Sequence, residues 1–192
     1  DGIFMTVSST GMGGPTTAIA VEELGHMGAD TMIRVGSCGT MQDYVDVGDV
    51  VVATGTFRAG GTANNYLPIE FPAVPNYDVT AALVQAAKRL DLKVHVGLGS
   101  AGDAFYAPRD PSGRDYLKQS GIISGEMESD TLFVIAALRG WRAGALYAND
   151  GTSKETKPEW GEEAFRRGEE NAIRIALEAM KAIAQADAAA GA

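Results

Sequence analysis

Short apolar runs rich in β-branched residues alternate along this chain with longer segments of helical periodicity, and this alternation restricts the fold more than any other feature. The run Val50-Val51-Val52-Ala53 is apolar at consecutive positions, which predicts a strand buried on both faces. Strands are predicted at residues 3–8, 31–35, 50–56, 93–98, 121–127 and 142–148, and helices at residues 15–27, 78–90, 129–138 and 160–184. Repeated strand–helix units predict an α/β fold, a three-layer αβα sandwich with a mixed, largely parallel central sheet.

Four loops at the ends of predicted strands are candidate binding segments, because ligands of parallel α/β folds bind beyond the carboxyl ends of the strands. Glycine makes up 24 of the 192 residues, more than its usual share of about 7%, and several of these glycines fall in the loops. The four loops are residues 10–15, 34–39, 126–129 and 147–152.

The first two loops have the composition of an anion site. Residues 10–15 open a helix, where backbone amides and the helix N-terminus can approach an anion. Arg34 and Ser37 add a guanidinium and a hydroxyl among small residues. Taken alone, the first loop is better explained as a tight turn, and Arg34 as a surface arginine. Two such loops at one sheet edge favour a phosphate-sized anion, although neither the dinucleotide fingerprint nor the Walker loop is present.

The last two loops carry carboxylates with two interpretations each. Glu126 and Glu128 flank Met127, and such a carboxylate is either a charge at a helix start or an acceptor for vicinal sugar hydroxyls. Asp150 belongs to an Asp-Gly turn. At the end of a buried strand it would also be desolvated, which would raise its pKa and suit it to general-acid chemistry.

Charge and composition exclude several function classes. The net charge of −9 argues against partners that are nucleic acids or anionic membranes, and no apolar run is long enough to span a bilayer. Cys38 is the single cysteine, which excludes an intrachain disulfide and favours a reduced, cytoplasmic setting. His26 and His95 are too few and too far apart for a usual metal site, so we expect no metal.

In their order and spacing, these stretches resemble the nucleoside phosphorylase family, in the branch that contains uridine phosphorylase and the hexameric purine nucleoside phosphorylases. The specific parts are residues 10–15, Arg34-Val35-Gly36-Ser37-Cys38-Gly39, Phe105-Tyr106 and Glu126-Met127-Glu128-Ser129, while residues 68–74 (PIEFPAV) resemble the uridine phosphorylase branch. The resemblance implies reversible phosphorolysis of a nucleoside to a free base and ribose 1-phosphate. Inorganic phosphate would be a co-substrate, and we expect no cofactor.

The resemblance also implies roles for individual residues. Catalytic residues would be Arg34, Glu128 and Asp150, the last protonating a purine at N7. Phosphate would contact Gly11, Arg34, Gly36 and Ser37. Ribose would contact Met12, Glu126, Met127 and Glu128. The base would contact Cys38, Gly39, Phe105, Arg109, Asn149 and Asp150, and either Arg166 or Arg167 would approach Asp150. The partners would be nucleoside, phosphate and further copies of the chain, as a dimer or as a hexamer built from three dimers with shared sites.

Two departures from the family pattern bear on function. Residues 107–114 lack the Gln-x-Arg pair that reads uracil in uridine phosphorylases, for which either Arg109 or Arg114 would have to substitute. Together with Asp150, this absence modestly favours purines over uridine. Before Asp1, family members carry a phosphate loop and residues for the neighbouring subunit's site. We therefore expect residues 1–192 to be a single phosphorylase domain that lacks its N-terminal part, with a frayed tail at residues 186–192.

Three other functions stay open at this stage. One is uridine phosphorylase. Another is a nucleosidase that uses water on the same fold, against which Arg34 argues because water needs no phosphate cradle. The third is a binding module or inactive fragment, since a polypeptide beginning at Asp1 would lack half its phosphate site.

Overall fold

The computed structural model describes residues 3–106 and 115–191. Within these residues the strands are β1 (Thr31–Thr40), β2 (Val50–Arg58), β3 (Val94–Ala101), β4 (Ser124–Glu126) and β5 (Arg142–Asn149). The α-helices are α1 (Gly14–His26), α2 (Tyr77–Arg89), α3 (Asp115–Gln119), α4 (Ser129–Arg139) and α5 (Glu162–Ala190). The predicted alternation of strands and helices is confirmed from Gly14 onward.

β1 is twice as long as the sequence predicts, because the small residues after Val35 continue the strand. Gly36, Ser37 and Cys38 pair with β5, and Gly39 pairs with β4. The predicted loop at residues 34–39 is therefore the carboxyl half of a strand. Its glycines leave room beside the strand without breaking its hydrogen bonds.

The strand predicted at residues 3–8 is not formed. These residues are irregular, and the side chains of Phe4 and Val7 are almost fully exposed. Intrinsic strand preference amounts to about 1 kcal/mol and depends on a neighbouring strand to pair with. Among the described residues, β1 pairs with β5 along Thr31–Cys38 but with β4 only at Gly39 and Thr40, so the other edge of its first part carries no strand.

The mixed sheet is confirmed, but it closes into a five-stranded barrel rather than forming the open middle layer of a sandwich. The strand order is β1-β4-β3-β2-β5, with three parallel pairs (β1–β5, β2–β3, β3–β4) and two antiparallel pairs (β1–β4, β2–β5). The three-residue β4 bridges the ends of β1 and β3 and so closes the ring. A register shift between Ala53 and Gly55 of β2 interrupts that strand's pairing with β3, and such irregularities coil a sheet.

The helices cover the barrel in two groups, each with its own apolar core. Val51 and Ala53 pack on the side of α1 and α4, whereas Val50 and Val52 pack on the side of α2 and α5. The consecutive apolar run in β2 thus serves both cores, as its sequence predicts.

The long segment between β2 and α2 is held by one buried arginine. Arg58 donates to the carbonyl oxygens of Pro68 and Phe71 at 2.6 Å, to that of Leu67 at 2.8 Å and to Asn64 Oδ1 at 2.8 Å. Four donated bonds to one segment replace the regular structure that its Gly, Asn and Pro content disfavours.

The C-terminal helix extends beyond its predicted end at residue 184. Helix α5 continues through Ala190, because the alanines of the predicted frayed tail are strong helix formers. Within residues 3–106 and 115–191, no helix is both long and apolar enough to cross a membrane.

Candidate active site

A cleft of about 1280 Å³ runs along β1 between α1 and α5 and, at the carboxyl ends of β1, β3, β4 and β5, reaches the segment before α1. Most of the residues proposed for substrate binding line it: Gly11, Met12, Arg34, Gly36, Ser37, Cys38, Gly39, Phe105, Glu126, Met127, Glu128 and Asp150. Arg109 and Arg114 lie outside the described residues. The fold thus brings together side chains that are more than a hundred positions apart in the sequence.

One end of the cleft is an ion cluster of Arg34, Glu126 and Glu128, here called the arginine–glutamate cluster. Arg34 donates its Nε to Glu126 Oε2 at 2.9 Å, and its Nη2 to Glu128 Oε2. The three side chains are 17%, 1% and 9% exposed. Burial alone would lower the pKa of Arg34, but Glu126, followed by Tyr147 and Glu128, more than offsets this and raises it, so the guanidinium stays charged.

Glu126 is fixed by the start of α4. Its carboxylate accepts hydrogen bonds from Ser129 Oγ at 2.5 Å, from the Ser129 amide at 3.1 Å and from the Glu128 amide at 2.9 Å. Because both of its oxygens already accept these hydrogen bonds, the Glu126 carboxylate is not free to accept from a sugar hydroxyl. In this arrangement Glu126 is an anchor for Arg34, and Glu128 is the more available carboxylate.

Glu128 links the cluster to the glycine loop before α1. Its Oε1 accepts from the Gly13 amide at 2.5 Å, and Gly13 is the N-cap of α1 with a φ of 87°. A positive φ of this kind favours glycine, which lets the backbone turn its amide toward the carboxylate. The sequence predicts that the loop at residues 10–15 binds an anion, and here its Gly13 amide binds the Glu128 carboxylate of the same chain.

Gly36 has a steric reason to be glycine. A Cβ at this position would lie 2.1 Å from Arg34 Nη1. The guanidinium therefore folds back over Gly36, and any larger residue there would displace it.

Tyr147 is a site residue that the sequence reasoning missed. Its ring is fully buried beneath Arg34, whose Cζ lies 5.4 Å from the ring centroid, within the range of cation–π contacts. Burial, with the nearby charge of Glu126, raises the pKa of this phenol well above its usual value, so it stays protonated. An aromatic residue at the end of an otherwise aliphatic strand was the available signal.

Phe105, Asp150 and Lys157 also line the cleft, and this group is here called the lysine–aspartate end. Lys157 Nζ lies 3.5 Å from Asp150 Oδ2 and 5.9 Å from the centroid of the Phe105 ring. Burial raises the pKa of Asp150, and the charge of Lys157 opposes part of that rise. Sequence reasoning named Arg166 or Arg167 as the cation near Asp150, but their guanidiniums pair with Glu162 and Glu163 on α5.

Two of the residues proposed to contact the base have other surroundings. Asn149 is fully buried and donates to the carbonyl oxygens of Asp46 and Gly151, so it holds the backbone and does not line the cleft. Cys38 lines the cleft but is nearly buried, and burial raises the pKa of its thiol well above the usual value. It is therefore not a thiolate nucleophile.

Asp130 is a further buried carboxyl group close enough to the cluster to sense the charge of Glu126, and the sequence did not single it out. Asp130 is 2% exposed, and burial raises its pKa from 3.8 to about 6, with smaller contributions from the charges of Glu126 and Asp103. Its Oδ1 accepts from the Thr131 amide, whereas its Oδ2 is buried without a hydrogen-bond partner.

Comparison with known proteins places these features in a family. A family model described as "Phosphorylase superfamily" matches residues 2–181. The chain is 39% identical to the uridine phosphorylase of Thermococcus kodakarensis, over 97% of this chain and 69% of that protein. It is 41% identical to the guanosine phosphorylase of Halorubrum lacusprofundi, over 95% of this chain and 78% of that protein. A uridine phosphorylase of Treponema pallidum is 42% identical, with 95% and 74% covered.

A solved structure agrees with these sequence matches. The crystal structure of uridine phosphorylase from Vibrio fischeri, complexed with 6-hydroxy-1-naphthoic acid, superimposes with a TM-score of 0.83 at 32% identity. The match covers 90% of this chain and 72% of that one.

Proposed function

Because this chain belongs to the phosphorylase superfamily, we propose that it is a nucleoside phosphorylase, which cleaves the N-glycosidic bond of a nucleoside with phosphate. The observation that carries the proposal is the arginine–glutamate cluster. It puts a guanidinium that would bind phosphate in direct contact with a carboxylate that would bind the sugar, and both line one cleft.

When the substrates bind, contacts to phosphate and ribose would replace the contact that Arg34 and Glu128 make with each other. Phosphate would take the Nη groups of Arg34 with help from Ser37 and the amides near Gly11, while Glu126 keeps hold of Nε. Glu128, released from Nη2, would accept from the ribose 2′- and 3′-hydroxyls, with Met12 and Met127 against the sugar. Binding of phosphate to Arg34 would thus free Glu128 for ribose, and binding of ribose to Glu128 would free Arg34 for phosphate.

The reaction follows from that positioning. A phosphate oxygen attacks the anomeric carbon as the bond from that carbon to the base nitrogen breaks, and the electron pair leaves with the base. The sugar passes through an oxocarbenium-like state, as in glycosidases, and the negative charge of Glu128 stabilises it. Lys157 would stabilise the negative charge that develops on the departing base, and Asp150, as a carboxylate, would orient the base by accepting from its ring N–H rather than protonate it.

The relatives favour uridine as the first substrate to test. Uridine phosphorylases predominate among the relatives described above, alongside a guanosine phosphorylase. The purine preference expected from Asp150 therefore has no support from them, and we propose uridine or guanosine cleavage. Oligomeric assembly with shared sites also stays a proposal, which light scattering after gel filtration would test.

The test is nucleoside cleavage with and without phosphate, using uridine and guanosine. Release of base that requires phosphate and yields ribose 1-phosphate supports the proposal. Cleavage at the same rate without phosphate indicates the nucleosidase alternative. No cleavage would indicate a binding module if ribose 1-phosphate still binds in calorimetry, and an inactive fragment if it does not.

A further inference from the structure

We propose that Lys157 and Asp150 together select nucleobases that carry a carbonyl beside a ring N–H, over bases that carry an amino group beside a bare ring nitrogen. This inference rests on the proposed function and names the substrate class of the same site. Uracil, guanine and hypoxanthine have the first kind of edge, and cytosine and adenine have the second.

The first argument is the placement of the two side chains. Asp150 and Lys157 both line the cleft at the end that also holds the exposed ring of Phe105. The Asp150 side chain is 8% exposed and that of Lys157 is 62% exposed, so one is built into the wall and the other reaches in from solvent. Their 3.5 Å separation is loose for an ion pair and leaves both heads able to bond to a third group.

The second argument is how the backbone fixes this pair. The Asp150 amide donates to the Cys38 carbonyl oxygen at 2.8 Å, which ties Asp150 to the end of β1. The Lys157 amide donates to the Asp150 carbonyl oxygen at 3.0 Å, and an isolated bridge between Gly151 and Thr156 closes the loop between them. Lys157 itself has a φ of 49°, uncommon for a residue with a side chain, and such conformations persist where the surroundings impose them.

The third argument is hydrogen-bonding complementarity. An ammonium group only donates and a carboxylate only accepts. A base edge with a carbonyl next to a ring N–H offers one acceptor and one donor, which match Lys157 and Asp150 in turn. In cytosine or adenine held in the same orientation, an amino group would face the ammonium and a lone pair would face the carboxylate. The orientation of a reacting base would be restricted, because its glycosidic bond would point to the arginine–glutamate cluster.

This selection explains how one site can serve two base sizes. The carbonyl and N–H are common to uracil and guanine, although the rings differ in size. The open Phe105 face, 55% exposed, does not limit ring size from that side. Lys157 and Asp150 would therefore discriminate between bases by the hydrogen-bonding groups on their edge, and only weakly by the size of their rings.

The experiment compares Lys157→Met with Lys154→Met, an exposed lysine of the same loop, as a matched control. The kcat/KM values for uridine, guanosine, cytidine and adenosine are measured in saturating phosphate. We expect the wild type to prefer uridine and guanosine. Lys157→Met should lower kcat/KM for these two by about tenfold or more, with little change for cytidine and adenosine. Lys154→Met should change none of them, and Lys157→Arg should retain most of the selectivity.

Calorimetric binding of free uracil and free cytosine gives a second measurement that does not need turnover. Uracil should bind more tightly than cytosine, and Lys157→Met should remove the difference. The inference is overturned if Lys157→Met weakens all four nucleosides equally, or if the wild type prefers adenosine or cytidine. Loss of phosphate-dependent cleavage in the wild type, with the uracil preference intact, would instead count against the proposed function alone.

Discussion

At the arginine–glutamate cluster every charged group is held by several partners, whereas at the lysine–aspartate end one loose ion pair sits beside an exposed ring. Glu126 accepts from Arg34, Ser129 and the Glu128 amide, and its side chain is 1% exposed. Lys157 is 62% exposed and its ammonium lies 3.5 Å from one carboxylate oxygen. Under the proposed function, the tightly held cluster would bind phosphate and the sugar, which every substrate shares. The looser pair would bind the base, which differs between substrates.

The largest expected effect comes from removing the cation of the cluster. Arg34→Met should lower kcat/KM for phosphate about a thousandfold, because it deletes the main anion ligand and leaves two buried carboxylates without their counter-charge. Steady-state kinetics with varied phosphate measures this. The control is Arg89→Met, whose exposed pair with Glu178 should matter little. An unchanged KM for phosphate would remove Arg34 from phosphate binding.

Next comes the pH dependence of stability around Asp130. Burial raises its pKa from 3.8 to about 6, so the folded state binds more protons than the unfolded chain between these values. The free energy of unfolding therefore falls as the pH rises through that window. Asp130→Asn cannot ionise, so its stability relative to the wild type should rise by roughly 2.5 kcal/mol between pH 4 and pH 7.

Denaturant unfolding at the two pH values measures this difference. The exposed Glu169→Gln variant is the control and should show no such trend. If Asp130→Asn and the wild type differ by the same amount at both pH values, burial does not raise the pKa of Asp130 in the folded protein.

A smaller effect tests the proposed role of Glu128 in binding the ribose hydroxyls. Glu128→Gln should lower kcat/KM for uridine about a hundredfold, but for 2′-deoxyuridine only about tenfold, because the deoxy substrate lacks one of the hydroxyls that the carboxylate would accept from. Comparing the two substrates in one assay gives the ratio, with Glu178→Gln as a control on α5. Equal losses for both substrates would argue against the ribose-hydroxyl role.

The smallest effect tests how tightly the cluster is packed. Gly36→Ala puts a methyl group 2.1 Å from the present position of Arg34 Nη1 and should raise the KM for phosphate about tenfold by displacing the guanidinium. Gly102→Ala is the control, because its added Cβ meets no atom within 4 Å. A normal KM in Gly36→Ala would show that the cluster can shift as easily as the lysine–aspartate end.

Much of the site could be predicted from sequence because its residues fall at recognisable positions. Arg34, Glu128 and Asp150 stand at the ends of apolar runs, and strand ends are where α/β folds bind ligands. Lys157 and Tyr147 were missed for different reasons. Lys157 lies in a polar loop where a lysine carries no signal. Tyr147 lies where the predicted strand 142–148 meets the candidate loop 147–152, and nothing in the sequence pairs it with Arg34.

The alternation of apolar runs and helical segments, set by the sequence alone, determined the α/β class, the strands from β1 onward and the chemistry at their ends. These features depend on residues within about ten positions of one another. Tertiary structure decided that the sheet closes through β4, that residues 3–8 stay unpaired, and that Glu126 holds Arg34 while Lys157 faces Asp150. Strand pairing and ion pairing depend on which distant segments meet and in what register, and local preference does not contain that information.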